Sequence, residues 1–494
     1  MTFFRRWFQN VTKGEAALLG LILISLVLYS TSTLTTKPRL FFDEGLFIEQ
    51  AHNFAISGIL DIAVAPGEYS GIPHVANSSG ISATLPLSAL FKAFGFSIEL
   101  ARAYALLWMA LFLVAAYAFV RRYFGSIAGF GSVLLIATFA PFHANGRMTM
   151  GDIPGMTYLL ISLLLLRTHV FLAGVFLGLC LVARPSVYAF AVLAVAAHQL
   201  YMYGKGALRP LILLAAGTAI PVMLELIVYL PGPLTISWWH STLLFLKKPT
   251  FGVGTSHIES IVNNLAAFAR ETTLIYLLLL IAAIAIAWRM RGRATWDRGI
   301  VLFASLYGLL GFLYFLRSPG WFKYLLPLQL VLFLFLPSAL AILVERLQRF
   351  APRSFSRIRP ATVATIIVIL LAGMQLVQLI YFSDIYHGTD AQDAASYLKE
   401  GMSEDDTIAF IHASQVAMFF PIERKYGFFV VNEDLTVGKN PLDFSIRDLP
   451  TYIVMPREGL TEFSAAFDAA RMQYLREEYS LEITYGRFNV YHLR

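Results

Sequence analysis

The stretch Arg39-Leu40-Phe41-Phe42-Asp43-Glu44-Gly45-Leu46 places two adjacent acids a few residues after the first hydrophobic segment of the chain. A further acid, Asp152, follows another long apolar run. Carboxylates held at the water interface of a membrane protein with several spans are candidates to bind a ligand or remove a proton from it. The pattern therefore favours a membrane enzyme over a membrane anchor or a pore.

Composition indicates that lipid surrounds most of the 494 residues. Hydrophobic residues make up 57% of the chain and charged residues 14%, whereas about a quarter of the residues in soluble domains are charged. The net charge of +7 does not predict a nucleic-acid partner, because the basic residues form short clusters between apolar runs, as topology signals do. Cys180 is the only cysteine and lies in an apolar run, so neither a disulfide framework nor a cysteine metal site is expected.

The apolar runs predict about eleven membrane-spanning helices, since a span needs about 20 residues. The segment 81–94 is shorter and is broken by Pro86 and Lys92, so it is predicted to lie in the interface or dip into it. The first run is interpreted as a retained span, because no signal-peptide cleavage site follows it. The predicted spans are 14–34, 99–120, 126–143, 153–167, 170–184, 186–203, 209–230, 272–288, 299–316, 321–344 and 361–382.

Charge predicts the orientation of these spans. With a cytoplasmic N-terminus, nearly every cluster of Arg and Lys falls on the inside. The long first loop, residues 35–98, then lies outside the membrane together with both acidic positions and the C-terminus. If 81–94 crossed the membrane, the orientation of everything after it would be reversed.

Within this first loop, Phe47, Ala51 and Phe54 recur at helical spacing, with Glu49 and Gln50 on other faces. This predicts an amphipathic helix lying on the membrane surface.

From about residue 385 to 494 the composition becomes that of a soluble domain, so the chain is predicted to divide into a transmembrane part, 1–384, and a small extracytoplasmic α/β domain. Periodicity in this domain predicts helices at 390–400 and 462–478, strands at 407–412, 428–432 and 451–455, and a hairpin at 481–493 that turns near Gly486.

The location limits the chemistry. ATP and nucleotide sugars are not supplied outside the membrane, and the chain has no P-loop and no dinucleotide fingerprint. An activated donor must then arrive through the lipid, as a polyisoprenyl phosphate sugar does. Transfer needs a carboxylate to accept the proton of an acceptor hydroxyl and cations to stabilise the departing phosphate.

Three acids are the catalytic candidates. Asp43 is the expected general base; the alternative is that it only caps a surface helix beginning at Glu44. Glu44 either orients Asp43 or binds the acceptor, or it is an exposed acid in a first helical turn. Asp152 precedes Ile153-Pro154, so a helix cap is its alternative role.

Four cations are candidates for the donor phosphate. Arg147 either neutralises Asp152 or holds the phosphate. Arg184 lies at the end of a span, where a charge faces a polar cavity or snorkels to the surface. Lys323 and Arg317 belong to an outward patch with Trp321 and Tyr324, for which interfacial anchoring is the alternative.

Residues predicted to bind the acceptor or sugar are His74, His143 and Tyr324. The histidine spacing matches no zinc pattern, and no cofactor is expected, although a divalent metal stays open. Gly125-x-x-x-Gly129 and Gly174-x-x-x-Gly178 are interpreted as helix-packing motifs.

At these residues the chain resembles the GT-C membrane glycosyltransferases, in particular the group with protein O-mannosyltransferases and lipid A aminoarabinose transferases (glycosyltransferase family 39-like). The resemblance covers most of the first 345 residues and rests on the order of short motifs. These are Phe42-Asp43-Glu44, Leu85-Pro86 through Phe94-Gly95 with Glu99-Leu100-Ala101-Arg102, Arg147-Met148-Thr149-Met150-Gly151-Asp152-Ile153-Pro154, Gly174 to Pro185, and Lys323-Tyr324-Leu325-Leu326-Pro327.

The resemblance implies an inverting enzyme with Asp43 as the catalytic acid of the first outer loop and Asp152 as the second outer acid. It implies that Arg184 and Lys323 lie near the lipid phosphate, and that a monophosphate donor is used without a metal. Several relatives have Glu-Lys-Pro in the first loop where this chain has Asn77-Ser78-Ser79-Gly80-Ile81-Ser82, which leaves the phosphate-binding group of this loop open.

The sequence thus predicts a glycosyltransferase of a bacterial inner membrane that moves a sugar from a polyprenyl phosphate to a lipid, glycan or protein. A transporter or flippase of a lipid-linked sugar is the alternative; it would need charges near mid-membrane and paired broken helices. A non-catalytic envelope assembly protein is the third reading.

Overall fold

The computed structural model describes residues 11–72, 79–230, 232–237, 239–240, 257–271, 273–289, 297–318, 322–349, 358–382, 387–432, 435–439, 449–457 and 469–494.

Each predicted apolar segment is occupied by helix. The helices before the C-terminal domain are α1 Lys13–Thr31, α2 Phe42–Ser57, α3 Ile81–Phe94, α4 Ile98–Phe124, α5 Ser126–Ala137, α6 Ala140–Gly146, α7 Asp152–Leu165, α8 Val170–Ala183, α9 Pro185–Tyr203, α10 Leu208–Val228, α11 His257–Ala269, α12 Thr273–Arg289, α13 Arg298–Arg317, α14 Leu326–Gln348 and α15 Pro360–Val377. The predicted span 126–143 is bent by 65° between α5 and α6.

The chain is a multi-pass membrane protein. Among the described residues, six apolar helical stretches are long enough to cross a membrane, or up to eight if each bent pair counts as one span. One of the six is the 44-residue stretch Pro185–Val228, which contains both α9 and α10. Helices α7 and α8 have 14 residues each, about 21 Å at the usual helical rise, which is less than a hydrocarbon core of about 30 Å. The length criterion therefore supports fewer crossings than the eleven predicted.

Glycines allow two of these helices to pack with their backbones in contact. A Cβ added at Gly174 would lie 2.3 Å from the carbonyl oxygen of Leu214, and one at Gly178 would lie 2.5 Å from that of Thr218. Both carbonyls belong to α10. The packing function predicted for the Gly174-x-x-x-Gly178 motif is confirmed, because only glycine fits this approach of α8 and α10.

The sequence predicts that helix α2 lies on the membrane surface with its polar face free, and this prediction is wrong. Glu49, Gln50 and Asn53 are buried together with Phe47 and Ala51. Asn53 Nδ2 donates to the carbonyl oxygen of Asp61, 2.8 Å away. The helix is enclosed on its polar side as well, because the C-terminal domain packs there and supplies polar partners.

The C-terminal domain consists of α16 Asp390–Gly401, β3 Ile408–Ile411, α17 Ser414–Ala417, β4 Lys425–Asn432, β5 Leu435–Val437, β6 Tyr452–Pro456, α18 Ala469–Glu478, β7 Tyr479–Tyr485 and β8 Phe488–Leu493. Its six strands form a sheet with the order β5-β4-β3-β6-β8-β7. Strands β3, β4 and β6 are parallel, and the others pair antiparallel. The predicted strands, the first helix and the hairpin are confirmed. Strand β5 and the short helix α17 were not predicted. Residues 462–468 of the predicted second helix lie outside the described residues.

One hydrophobic core joins the first loop to this domain. Phe47 and Ile48 of α2 and Leu87 of α3 share a buried cluster with Phe410 and Val490 of the sheet. A short hairpin in the loop, β1 Ala63–Ala65 and β2 Glu68–Tyr69, also contacts the domain, where the Gly67 amide donates to the carbonyl oxygen of Ile422. The predicted boundary at 384/385 therefore separates two parts of the chain that are packed together.

Candidate active site

Asp43 lies in the first turn of α2. The helix begins at Phe42 with Phe41 at its N-cap, so the alternative reading of Asp43 as a helix cap is wrong. Its Oδ2 is 2.5 Å from Lys323 Nζ, and 29% of its side chain is exposed. Asp43 is thus an ion-paired carboxylate that solvent and a ligand can still reach.

Lys323 lies in the 3₁₀ turn Phe322–Tyr324, just before α14. Its ammonium group is 4.6 Å from the ring centroid of Phe41 and 5.5 Å from that of Tyr324. Both Lys323 and Tyr324 are buried, so interfacial anchoring is not their role. Burial lowers the pKa of Lys323 below its ordinary value, and the nearby Asp43 carboxylate partly opposes this shift.

Asp152 is the first residue of α7, with Gly151 at the N-cap, so the helix-cap reading is also wrong for this acid. Its Oδ2 accepts a hydrogen bond from Arg184 Nη1 within a buried ion pair. A Cβ on Gly151 would lie 1.9 Å from the carbonyl oxygen of Ala183. Glycine at 151 therefore allows the start of α7 to touch the end of α8, which brings Asp152 against Arg184.

Arg184 separates α8 from α9 and is 1% exposed, so the snorkelling alternative is wrong. Its guanidinium carbon lies 5.4 Å from the Tyr324 ring centroid. Arg184 interacts electrostatically with Asp43 as well as with Asp152. The two ion pairs therefore form one cluster around Tyr324, although its acids are 109 positions apart along the chain.

Two buried polar atoms in this cluster have no hydrogen-bond partner among the described residues. They are Asp152 Oδ1 and Arg184 Nε. Buried polar atoms without partners are uncommon in proteins and are found at sites that bind ligands. This observation, together with the exposure of Asp43, indicates a polar ligand site.

Glu44 belongs to a different network, directly behind Asp43. Its Oε2 is 2.7 Å from Arg102 Nη2, and both side chains are fully buried. Its Oε1 accepts from the Thr149 amide at 2.9 Å. The expectation of an exposed first-turn acid is wrong, because α4 and the segment before α7 enclose the side chain.

Arg147 and His143 do not join the cluster. Arg147 is buried and donates to the carbonyl oxygens of Ser30 and Thr33 at 2.8 and 2.7 Å, so it holds the end of α1 and does not pair with Asp152. His143 is 1% exposed; its Nε2 lies 2.8 Å from the Ala137 carbonyl oxygen. Both predicted ligand roles disagree with this placement, because neither side chain reaches an open surface.

Of the two remaining predicted residues, the structure describes one. Arg317 is exposed at the end of α13, and His74 lies outside the described residues. Arg102 was missed as a structural partner of Glu44, although a charge inside the otherwise apolar α4 is a recognisable sequence signal. Tyr188, whose hydroxyl donates to the Asp152 carbonyl oxygen, carries no such signal.

The structure also contains an apolar cavity. It has a volume of about 270 Å³ and lies among α11, α12, α13 and α14. Leu325, which follows Tyr324 directly, and Leu328 line it together with Leu309 and Phe312. The chain therefore passes directly from Tyr324 of the cluster to Leu325 in the wall of the cavity.

Comparison with known proteins identifies the fold. No protein-family model and no curated protein sequence matches the chain. The structure of ArnT from Cupriavidus metallidurans bound to undecaprenyl phosphate aligns with a TM-score of 0.63 over 97% of this chain and 98% of that one, at 14% identity. The Archaeoglobus fulgidus oligosaccharyltransferase tethered with an acceptor peptide aligns with a TM-score of 0.52 over 96% of this chain and 73% of that one, at 12% identity. Both have the GT-C fold, which confirms the predicted fold for this chain.

Proposed function

We propose that this membrane protein with the GT-C fold is a glycosyltransferase that moves a sugar from a polyprenyl phosphate donor to a hydroxyl group of a lipid, glycan or protein. The observation that carries the proposal is the accessible carboxylate of Asp43 in one cluster with the buried cations Lys323 and Arg184. ArnT, solved with undecaprenyl phosphate, supports a lipid-linked donor. The proposed location is the bacterial inner membrane, with the N-terminus cytoplasmic and the cluster and C-terminal domain outside.

Asp43 is the proposed general base. Its side chain is more exposed than that of Asp152, at 29% against 5%, and Glu44 is fully buried. The acceptor oxygen would attack the anomeric carbon as the bond from that carbon to the phosphate oxygen breaks. The acceptor proton would pass to Asp43, and polyprenyl phosphate would leave.

Lys323 and Arg184 are the proposed phosphate ligands. In the structure each cation is paired with an acid. A donor phosphate near Lys323 would compete with Asp43 for the ammonium group, which would free Asp43 to accept the acceptor proton. The same cations would stabilise the negative charge of the leaving phosphate, and the proposal includes no metal ion.

The apolar cavity supports a lipid donor. An isoprenyl chain attached to a phosphate at Lys323 could continue past Tyr324 along Leu325 and Leu328 into the space between α12, α13 and α14. Burial of apolar surface there would favour binding of the chain.

Inversion at the anomeric carbon is the proposed stereochemistry. Asp152 is engaged by Arg184 and buried, so it is poorly placed to form a covalent sugar intermediate. Direct displacement by the acceptor, with Asp43 as base, inverts the configuration in one step.

The test is Asp43→Asn, with Asp405→Asn as the matched control at an exposed acid of the C-terminal domain. Mass spectrometry of envelope lipids and glycans, in cells that lack the gene and express each variant, identifies and measures the product. We expect Asp43→Asn to lower its formation by about 10²–10⁴-fold, the usual contribution of a general base, while native mass spectrometry still detects bound undecaprenyl phosphate.

Product formation at the wild-type rate in Asp43→Asn would overturn the proposal. A transporter of a lipid-linked sugar would instead change the amount of donor on the outer side of the membrane, and the purified wild-type protein would not transfer the sugar to an acceptor.

A further inference from the structure

We propose that the C-terminal domain holds Asp43 in position for transfer, and that Ser414 is the positioning residue that does so. This inference rests on the proposed function, because it concerns the base of that reaction. The proposed role differs from that of a lid or of an acceptor-binding surface, because the C-terminal domain contacts the helix that carries the base.

The first contact is a hydrogen bond next to the base. Ser414 Oγ donates to the carbonyl oxygen of Phe42, 2.7 Å away. Ser414 is fully buried, and Phe42 immediately precedes Asp43 in the first turn of α2. A displacement of Ser414 would therefore act directly on the backbone that orients Asp43.

The second contact is a backbone approach at Gly45. A Cβ at this position would lie 2.6 Å from the Gln415 nitrogen and 2.7 Å from the Ser414 carbonyl carbon. Those atoms are backbone and cannot rotate away as a side chain can. The start of α17 thus packs against α2 at Gly45, where only glycine fits.

A third contact lies one helical turn further along. Glu49 Oε1 is 3.0 Å from Lys425 Nζ, and both side chains are buried. The same carboxylate oxygen accepts from the Ala63 amide at 2.9 Å, and Lys425 also donates to the Ala417 carbonyl oxygen at 3.1 Å. This ion pair connects α2 to strand β4 and to the end of α17.

The three contacts share one face of α2. Phe42, Gly45 and Glu49 are spaced by three and then four residues, the spacing that aligns positions along one side of a helix. Asp43 and Glu44 are directed to other partners, Lys323 and Arg102. The first turn of α2 is therefore held by the turn before α14, by α4 and by the C-terminal domain. Of these three, only the C-terminal domain lies outside the membrane part of the chain.

The experiment measures transfer per molecule that binds the lipid. Purified full-length variants Ser414→Ala, Ser414→Thr and Gly45→Ala are compared with Ser480→Ala, a serine of the same domain that is exposed. Bound undecaprenyl phosphate, counted by native mass spectrometry, gives the folded fraction with an intact donor site. The initial rate of forming the product identified for the wild type is measured with the same purified preparation after its reconstitution into membranes, and it is divided by that fraction.

We expect Ser414→Ala to lower the normalised rate by about 10-fold and Gly45→Ala by up to about 10²-fold, since a displacement of about 1 Å at a reacting group can have that effect. Ser414→Thr, which keeps the hydroxyl donor, should restore most of the rate. Ser480→Ala should match the wild type.

Normalised rates within twofold of the wild type in both Ser414→Ala and Gly45→Ala would overturn the inference. This includes the case in which rate and lipid binding fall in equal proportion, which indicates a structural role alone. Such a result leaves the proposed function intact as long as Asp43→Asn abolishes transfer. Retained transfer in Asp43→Asn would instead remove the proposed function itself.

Discussion

Asp43 and Glu44 are neighbours in sequence with opposite surroundings. Asp43 pairs with Lys323 and stays partly exposed, whereas Glu44 pairs with Arg102 and is fully buried. Successive residues of a helix point about 100° apart, so two adjacent acids cannot face the same partner. Their roles follow from this difference: one is available to a ligand, and the other supports the structure.

Replacing Glu44 should therefore affect stability more than replacing Asp43. Glu44→Gln leaves Arg102 buried without its counter-charge, which costs about 3–5 kcal/mol in comparable buried pairs. Asp43→Asn should cost less than this, since Asp43 is 29% exposed and solvent can reach its pair with Lys323, whereas the pair of Glu44 and Arg102 is fully buried. Thermal unfolding of the two variants in detergent provides the comparison. Equal melting temperatures would contradict the assignment of Glu44 as a structural residue.

Lys323 predicts a pH effect on donor binding. Its pKa is lowered by burial, so the ammonium form that binds phosphate is lost at a lower pH than for a lysine in water, about 10.4. Undecaprenyl phosphate binding should weaken as the pH rises toward that value. In Lys323→Arg the charge persists, because a guanidinium stays protonated over this range, and binding should hold. A parallel decline in both proteins would assign the effect to another group.

At the scale of elements, the approach of α8 and α10 depends on glycine. In Gly174→Val the Cβ alone would lie 2.3 Å from the Leu214 carbonyl oxygen. The two helices must therefore move apart to accommodate the side chain. We expect a loss of about 1–3 kcal/mol, the usual cost of overpacking. Gly373→Ala in α15 is the control, since a Cβ there meets nothing within 4 Å. Melting temperatures in detergent distinguish them; an unchanged value for Gly174→Val would show that the contact is dispensable.

Elements were predictable where local pattern is sufficient. The apolar runs identified the membrane helices, and alternation with turn residues located β3, β6 and the hairpin at Gly486, whose φ is +50°. The surroundings of α2 were not predictable in this way. Its polar face has the pattern of a solvated helix, but residues several hundred positions later bury it.

For the whole molecule, the orientation in the membrane stays a prediction with a direct test. Cys180 is buried, so a single introduced cysteine can report its side. Lys205→Cys and Glu404→Cys are at exposed positions. In intact spheroplasts a membrane-impermeant maleimide should label Glu404→Cys and reach Lys205→Cys only after lysis. The reverse pattern would place the cluster on the cytoplasmic side, where the argument for a lipid-linked donor fails.

Composition and periodicity were enough to establish a helical membrane protein with a small α/β domain, and short motifs were enough to indicate the GT-C fold, because both depend on residues close together along the chain. They also nominated Asp43, Asp152, Arg184 and Lys323. Only the tertiary structure showed which cation pairs with which acid. It also showed that Arg147 and His143 face inward, because both results depend on contacts between helices far apart in sequence. Ion pairing depends on distances of a few ångströms, and those distances arise from how α7, α8 and α14 pack around Tyr324.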